Sequence, residues 1–248
     1  MQPKEWDRIA PRYFDVLDSP FAEGVTNPVY KFLRQIKGKR QMTAIDLGCG
    51  IGNFLPYLAR RFKRVIAVDF SPKMLELAKG NCSRFKNIEF VEQDISNMKQ
   101  FHDAADVAVA VNSIIMPSLE ANNKAFQEAF NVLKSPGYFL GVFPSINSDL
   151  YRAMLTFERE FEETGNEKQA IRNTHLIIGS RDYDFLTGHY ENEGKQKHFY
   201  KFEVEYKLKR LGFKNVKYEK VLYPWSMAPE RFEGQPKLWD MFFYGEKP

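Results

Sequence analysis

Three observations predict an α/β fold, a doubly wound and mostly parallel sheet of seven strands with helices on both faces. Between residues 43 and 143, short runs rich in Val, Ile, Ala and Leu alternate with stretches of helical period, the pattern of repeated strand–helix–strand units. The first run, residues 43–47, passes directly into Gly48-Cys49-Gly50-Ile51-Gly52. A strand that stops at a glycine-rich turn before a helix is the opening of a nucleotide-binding unit. The second run, residues 65–69, ends on an acid, Asp69, 17 residues beyond Gly52.

The elements follow in order. Trp6, Ile9, Ala10, Tyr13, Phe14 and Leu17 share one helical face, and Pro11 should kink or split that helix. A second helix starts at Asn27-Pro28 and places Val29, Phe32, Leu33 and Ile36 together. Strand one is 43–47, and a crossover helix over 54–62 tolerates Pro56 in its opening turn. Strand two is 65–69. Ser71-Pro72 caps a helix carrying Met74, Leu75 and Ala78. Strand three is 87–92 and strand four 106–111, an unbroken apolar run suited to a strand covered on both faces. Phe126, Ala129, Phe130 and Leu133 mark a helix, and Ser135-Pro136-Gly137 turns into strand five, 138–143. Beyond Pro144 the period changes. A helix is predicted over 149–163, then short strands over 174–178, 182–186 and 198–202, a helix over 202–211, and strands over 216–223 and 239–244.

Composition bounds the function classes. Apolar residues are 44 % and charged residues 27 % of the 248, ordinary for a globular protein. The 22 Phe, 12 Tyr and 3 Trp favour an aromatic core over an aromatic-lined pocket. A net charge of +4, dispersed along the chain, argues against nucleic acid as a partner. Two cysteines make no disulfide framework. The chain opens with no apolar run of signal-peptide type and has no apolar stretch of membrane-spanning length, so a cytoplasmic enzyme without a membrane partner is the expectation. Monomer and homodimer both stay open.

The glycine loop narrows the ligand. The dinucleotide fingerprint G-x-G-x-x-G would place its third glycine at Asn53, whereas the glycine stands at 52. With Asp46 two residues before Gly48, the loop reads D-L-G-C-G-I-G. This resembles motif I of the class I S-adenosylmethionine-dependent methyltransferases, D/E-x-G-x-G-x-G. The resemblance covers 40–145 closely and 200–248 loosely. It implies the Rossmann-like methyltransferase fold and S-adenosylmethionine as cofactor, with S-adenosylhomocysteine as product. It also implies that Gly48, Cys49, Gly50 and Gly52 line the methionine moiety and that Asp46 receives its ammonium. Asp69 would accept both ribose hydroxyls, two acceptor oxygens against a vicinal diol. Phe70 and Met74 would flank the adenine, Asp94 and Ile95 would read its amino group, and Asn112 and Ser113 would lie beneath the methyl.

Methyl transfer is in-line displacement at an already activated carbon, so alignment carries most of the rate and the loop names no universal catalytic group. The opening from Trp6 to Asp15 is similar to the Y-D-x-x-A-x-x-Y-D start of small-molecule members, whose second tyrosine closes over the cofactor; that role falls on Tyr13. His189 is a candidate general base, since a histidine titrates near neutrality. Tyr183, His198 and Tyr200 are candidate substrate contacts. The histidines are too widely spaced for a metal centre, and no metal is expected. After strand four the chain reads Asn112-Ser113-Ile114-Ile115, not the tetrapeptide of nucleobase amino-methyltransferases, and neither Cys49 nor Cys82 suits a cytosine-carbon nucleophile. The expected reaction is therefore methylation of an oxygen or nitrogen of a small metabolite. The rivals are an RNA or protein methyltransferase with Lys195, Lys197, Lys201, Lys207, Lys209 and Arg210 as a basic rim, a regulator that binds the cofactor without turnover, and a dinucleotide oxidoreductase. The expected organisation is a helical lid over 1–40, a cofactor core over 41–145, an inserted substrate cap over 146–201 and completion of the sheet over 202–248.

Overall fold

The computed structural model describes residues 3–12, 19–178, 184–191 and 195–248. Seven strands form one sheet: β1 (Thr43–Leu47), β2 (Arg64–Asp69), β3 (Ile88–Glu92), β4 (Ala105–Val111), β5 (Leu133–Phe143), β8 (Lys214–Tyr223) and β9 (Leu238–Lys247). Their order is β3-β2-β1-β4-β5-β9-β8. The first five are parallel, and β9 lies antiparallel between β5 and β8. A separate antiparallel hairpin joins β6 (His189–Glu191) to β7 (Lys195–Lys197).

Strand alternation divides the core into two layers, because successive side chains point to opposite faces. Ala44, Val65, Ala67, Val107 and Val109 meet α2 (Val29–Gln35), α3 (Leu55–Ala59) and α4 (Pro72–Asn81) through Phe32, Leu33, Leu55, Leu58, Leu75 and Ala78. On the other face Ile45, Leu47, Ile66, Val68 and Ala108 meet α5 (Leu119–Asn131) and α8 (Lys201–Leu211) through Phe126, Ala129, Val204 and Leu208. Phe126, Phe139, Phe143, Phe199, Phe242 and Phe243 are fully buried, so most of the aromatic excess is core. Phe126 stacks on Phe143 at 5.3 Å, and Phe199 meets both edge-on. Truncating such a phenylalanine costs about 3–5 kcal/mol.

Local chemistry accounts for the ends. Ser71 Oγ accepts from the Met74 amide at 3.1 Å and caps α4. Asn27 Oδ1 accepts from the Val29 amide, while its Nδ2 donates to the Pro20 carbonyl and ties the preceding turn to α2. The N-terminal segment is α1 (Pro3–Ile9), followed by a single 3-10 turn, Ala10–Arg12, that accommodates Pro11; Tyr13, Phe14 and Leu17 lie outside the described residues.

Four expectations change. Residues 174–178 belong to α7 (Glu167–Ile178), which packs beside α6 (Ile146–Thr164). Asn166 Oδ1 accepts from the Gln169 amide to start it, and Ala170 and Thr174, four apart, are its buried face. The apolar run Leu176-Ile177-Ile178 reads as a strand only if that cap is overlooked. In the expected strand 182–186, residues 182 and 183 lie outside the described residues; from Asp184 the chain turns, with Asp184 Oδ1 accepting from the Leu186 and Thr187 amides. Residues 198–202 make one bridge, Phe199 to Ser145, before α8 begins. Finally, β5 starts at Leu133, opposite Ala105, and bulges before Tyr138 pairs with Val107; the Ser135-Pro136-Gly137 turn sits inside that bulge.

Candidate active site

Every parallel strand ends at the same edge of the sheet, and the order reverses between β1 and β4, the place where open α/β sheets bind ligands. One cavity of about 690 Å³ lies there. It runs from the glycine loop and Asp69, past Asn112, to His198, Tyr223 and Trp239.

Gly48 leaves β1 with φ +80°, and a Cβ built on it would stand 2.4 Å from the Ser113 Cβ. Ser113 Oγ donates to the Leu47 carbonyl at 2.5 Å, so the glycine lets β1 and β4 close on each other beneath the cavity. Gly52 (φ +86°) serves packing, its position touching Leu55 and Ala78 at 3.2 Å, and it does not line the cavity. Asp69 bridges two elements: its Oδ2 accepts from the Gly50 amide at 2.8 Å and its Oδ1 from the Ser71 amide at 2.9 Å. The carboxylate thus fixes the loop against the start of α4 and keeps further lone pairs for a diol. Asp7 of α1 accepts from Ser71 Oγ at 2.5 Å and from the Lys73 amide at 3.3 Å, which brings Trp6 to the cavity wall.

The acids here are expensive. Asp46 is buried, and among the described residues no donor reaches its carboxylate. Burial, reinforced by Asp69, pushes its pKa up to about 7. Burial likewise pushes Asp69 up to about 6, against the pull of its backbone amides. Burial, then the two acids, raises the Cys49 thiol, which makes it inert packing rather than a nucleophile. A buried, donorless carboxylate beside a cradle that a Cβ would fill suits the ammonium and backbone of a methionine moiety, so the residues fit the cofactor that the glycine loop implies.

Phe70, Met74, Asp94, Ile95, Asn112, Ser113 and His198 also line the cavity. Asp94 closes its own turn, accepting from the Ser96 amide. His189 is buried away from the cavity, with Nε2 3.1 Å from the Met116 carbonyl, and burial lowers its pKa. Tyr200 also lies off the cavity, donating to the Phe185 carbonyl. Tyr13 and Tyr183 lie outside the described residues. Among the described residues no group of three His, Cys, Asp or Glu side chains is placed to hold a metal.

The far half brings His198, a candidate substrate contact, together with residues that motif reading missed: Asp149, Arg152, Tyr223 and Asp240. His198 Nδ1 bonds the Asp149 carboxylate, and its ring meets Tyr190 edge-on at 4.6 Å. Arg152 is paired with the buried Glu230. Asp240, at the start of β9, accepts from Asn112 Nδ2 at 2.7 Å and from the Tyr223 hydroxyl at 2.6 Å, both at Oδ2. Asn112 holds φ +49°, a left-handed turn that Asn tolerates, and this aims its amide at Asp240. The signal for Asp240 was topological: an antiparallel strand beside β5 starts where the parallel strands end, so the first residues of β9 join the same edge.

Comparison with known proteins agrees. The family model described as "Methyltransferase domain" matches residues 38–207. Trans-aconitate 2-methyltransferase of Mycobacterium ulcerans is 43 % identical over 92 residues, 36 % of this chain and 33 % of that one. Malonyl-[acyl-carrier protein] O-methyltransferase 1 of Ilyobacter polytropus is 22 % identical over 165 residues, covering 62 % and 60 %. The chain therefore spans a third to three fifths of the length of these curated relatives. Among solved structures, a Pyrococcus horikoshii protein superposes with TM-score 0.65 at 20 % identity, covering 96 % of this chain and 99 % of that one. A 1,6-didemethyltoxoflavin-N1-methyltransferase of Burkholderia thailandensis, with bound 1,6-didemethyltoxoflavin and S-adenosylhomocysteine, gives 0.62 at 17 %, covering 99 % and 86 %. With its family model, its sheet order and its D-L-G-C-G-I-G loop in agreement, the chain belongs to the class I S-adenosylmethionine-dependent methyltransferases.

Proposed function

We propose that this protein methylates an oxygen or nitrogen of a small metabolite, in a cavity whose two halves hold cofactor and acceptor. The observation that supports this best is the single cavity of about 690 Å³ leading from the glycine loop to His198 and Trp239, a volume in the range of small-molecule sites. The cofactor, when bound, supplies a methyl group on a positively charged sulfur.

On this reading Gly48, Cys49 and Gly50 lie along the methionine moiety, with Gly52 supporting the loop from behind. Asp46 takes its ammonium, Asp69 the ribose diol, Phe70 and Met74 the adenine faces, and Asp94 with Ile95 the adenine amino group. Asn112 and Ser113 separate the two halves. Residues 1–40 form a lid docked through Asp7, 41–145 the cofactor core, 146–201 a cap that brings Asp149, Tyr190 and His198 to the acceptor, and 202–248 the end of the sheet that contributes Asp240. His198, oriented by Asp149, takes the base role considered for His189, whose Nε2 is committed to Met116. Tyr13, Tyr183 and Tyr200 are not needed for it.

A polymer acceptor is less well supported, because four of the six rim cations share two carboxylates of α8, Glu203 and Glu205. Lys197 and Lys207 pair with Glu203, and Lys201 and Lys209 with Glu205. The test is incubation with methyl-labelled S-adenosylmethionine and a cell extract divided into metabolite, RNA and protein fractions. Label in the metabolite fraction alone is expected; label in RNA or protein overturns the proposal. Cofactor binding without label in any fraction favours a non-catalytic binder, and affinity for NAD with none for S-adenosylhomocysteine favours an oxidoreductase.

A further inference from the structure

We infer that the acceptor carries a positively charged nitrogen, an amine or a protonated heterocycle, and that Asp240 is the residue that selects it. This rests on the small-molecule reading and deepens it. The charged groups of the acceptor half are unevenly matched. Arg152 has Glu230 as its partner, and the Glu230 side chain is fully buried. His198 has Asp149. Asp240 has two neutral donors, Asn112 and Tyr223, both on the same oxygen. Its Oδ1 meets no donor among the described residues, although Asp240 lines the cavity.

One orphan donor lies in this half, Arg152 Nε, buried with no hydrogen-bond partner in the described structure. Asn112 Oδ1 is buried with no hydrogen-bond partner in the described structure, and the amide cannot be turned to relieve it, because Nδ2 is required by Asp240. The Asp240 carboxylate, with Oδ1 unmatched, lines the cavity, where Trp239 also stands. A carboxylate ligand set against Asp240 would meet repulsion, since Arg152 is already paired with Glu230 and the His198 ring is bonded to Asp149. A cationic nitrogen supplies the missing charge and a donor, and the desolvated setting makes such a pair stronger than it would be in water. Burial raises the Asp240 pKa against the pull of Tyr223, Asn112 and the neighbouring His198.

The test uses the full-length protein saturated with S-adenosylhomocysteine and three matched probes: 2-phenylethylamine, 2-phenylethanol and 3-phenylpropionate. Titration calorimetry at pH 7.5 reads their affinities in the wild type and in Asp240→Asn, which keeps the acceptor for Tyr223 and Asn112. The amine is expected to bind at least tenfold tighter than the alcohol, with the carboxylate weakest. Asp240→Asn should remove the amine's advantage while S-adenosylhomocysteine affinity stays within about twofold, which also reports that the variant is folded. The inference is overturned if the carboxylate binds as well as the amine, if none of the three binds at 10 mM, or if the amine's advantage survives in Asp240→Asn. Weakened S-adenosylhomocysteine binding by the wild type itself would instead count against the cavity assignment on which the inference rests.

Discussion

The two halves of the cavity are built in opposite ways. The half around the glycine loop is made by consecutive strand–helix units, and its acids and Asn112 sit at or just past strand ends: Asp46 in β1, Asp69 on β2, Asp94 after β3, Asn112 after β4. The acceptor half is assembled from separated stretches of chain: residues 115–121, 144–152, Tyr190 with Gln196 and His198, and residues 223–240. The first half is carried by backbone geometry and tolerates few residue types. The second is carried by side-chain pairs, Asp149 with His198, Arg152 with Glu230 and Asp240 with Tyr223. The difference teaches that one half is constrained by what the main chain can do and the other by which partners a charge can find.

The largest expected effect is at the main chain. Gly48→Ala forces a Cβ into Ser113 and holds a side chain at φ +80°. S-adenosylhomocysteine affinity should fall by more than about a hundredfold, roughly 2.7 kcal/mol, in calorimetry. Retention of binding would break the contrast between the halves.

Next is the pH response of the cofactor half. Asp46 and Asp69 have folded-state pKa values raised to about 7 and about 6. A raised carboxylate stabilises the fold relative to the unfolded chain at pH below its unfolded value and loses that contribution as pH climbs through its folded value. Without cofactor, the melting temperature should fall as pH rises through 6 and 7. Cofactor affinity should move the other way, because an ammonium needs the ionised acid: the Kd should tighten by about tenfold per unit over which Asp46 must ionise. Asp46→Asn should flatten both profiles, raise the cofactor-free melting temperature at pH 8, and weaken cofactor binding by at least about tenfold, the scale of a lost charge-assisted bond.

A smaller effect tests the lid. Asp7→Ala removes the acceptor for Ser71 Oγ and the Lys73 amide. About 1 kcal/mol of docking is lost, seen as a several-fold weaker cofactor affinity and easier proteolysis after α1. The smallest effect is expected at His189. His189→Gln lies off the cavity and should leave cofactor affinity unchanged, while the loss of the Met116 contact lowers the melting temperature by roughly 2–4 °C per kcal/mol.

The same contrast decides what the sequence reveals. Strand one is legible to the residue, because a buried parallel strand is a continuous apolar run and the glycines end it abruptly. Asp69 stands out by its spacing from the glycine loop at the end of a second apolar run, whereas Asp94 is singled out by the family resemblance. The cap is not legible in that way. Its α7 hides behind an apolar run, and its start depends on one capping asparagine, Asn166. Asp149 and His198 are 49 residues apart and meet only because α6 and the hairpin arm fold back on each other. Asp240 and Asn112 are 128 apart, joined by a strand that runs against its neighbours. No local period records contacts of that kind.

The position of β9 between β5 and β8 has a consequence for synthesis. Strand β8 is made before β9, yet it joins the sheet through β9, apart from one bridge from Thr26 to Leu222. Until β9 docks, β8 is therefore an unsatisfied strand, the kind of edge that recruits other chains. Its sequence carries Lys214, Lys217, Glu219 and Lys220 along that stretch, charges that resist pairing with a stranger. They guard that edge until β9 docks and closes the sheet.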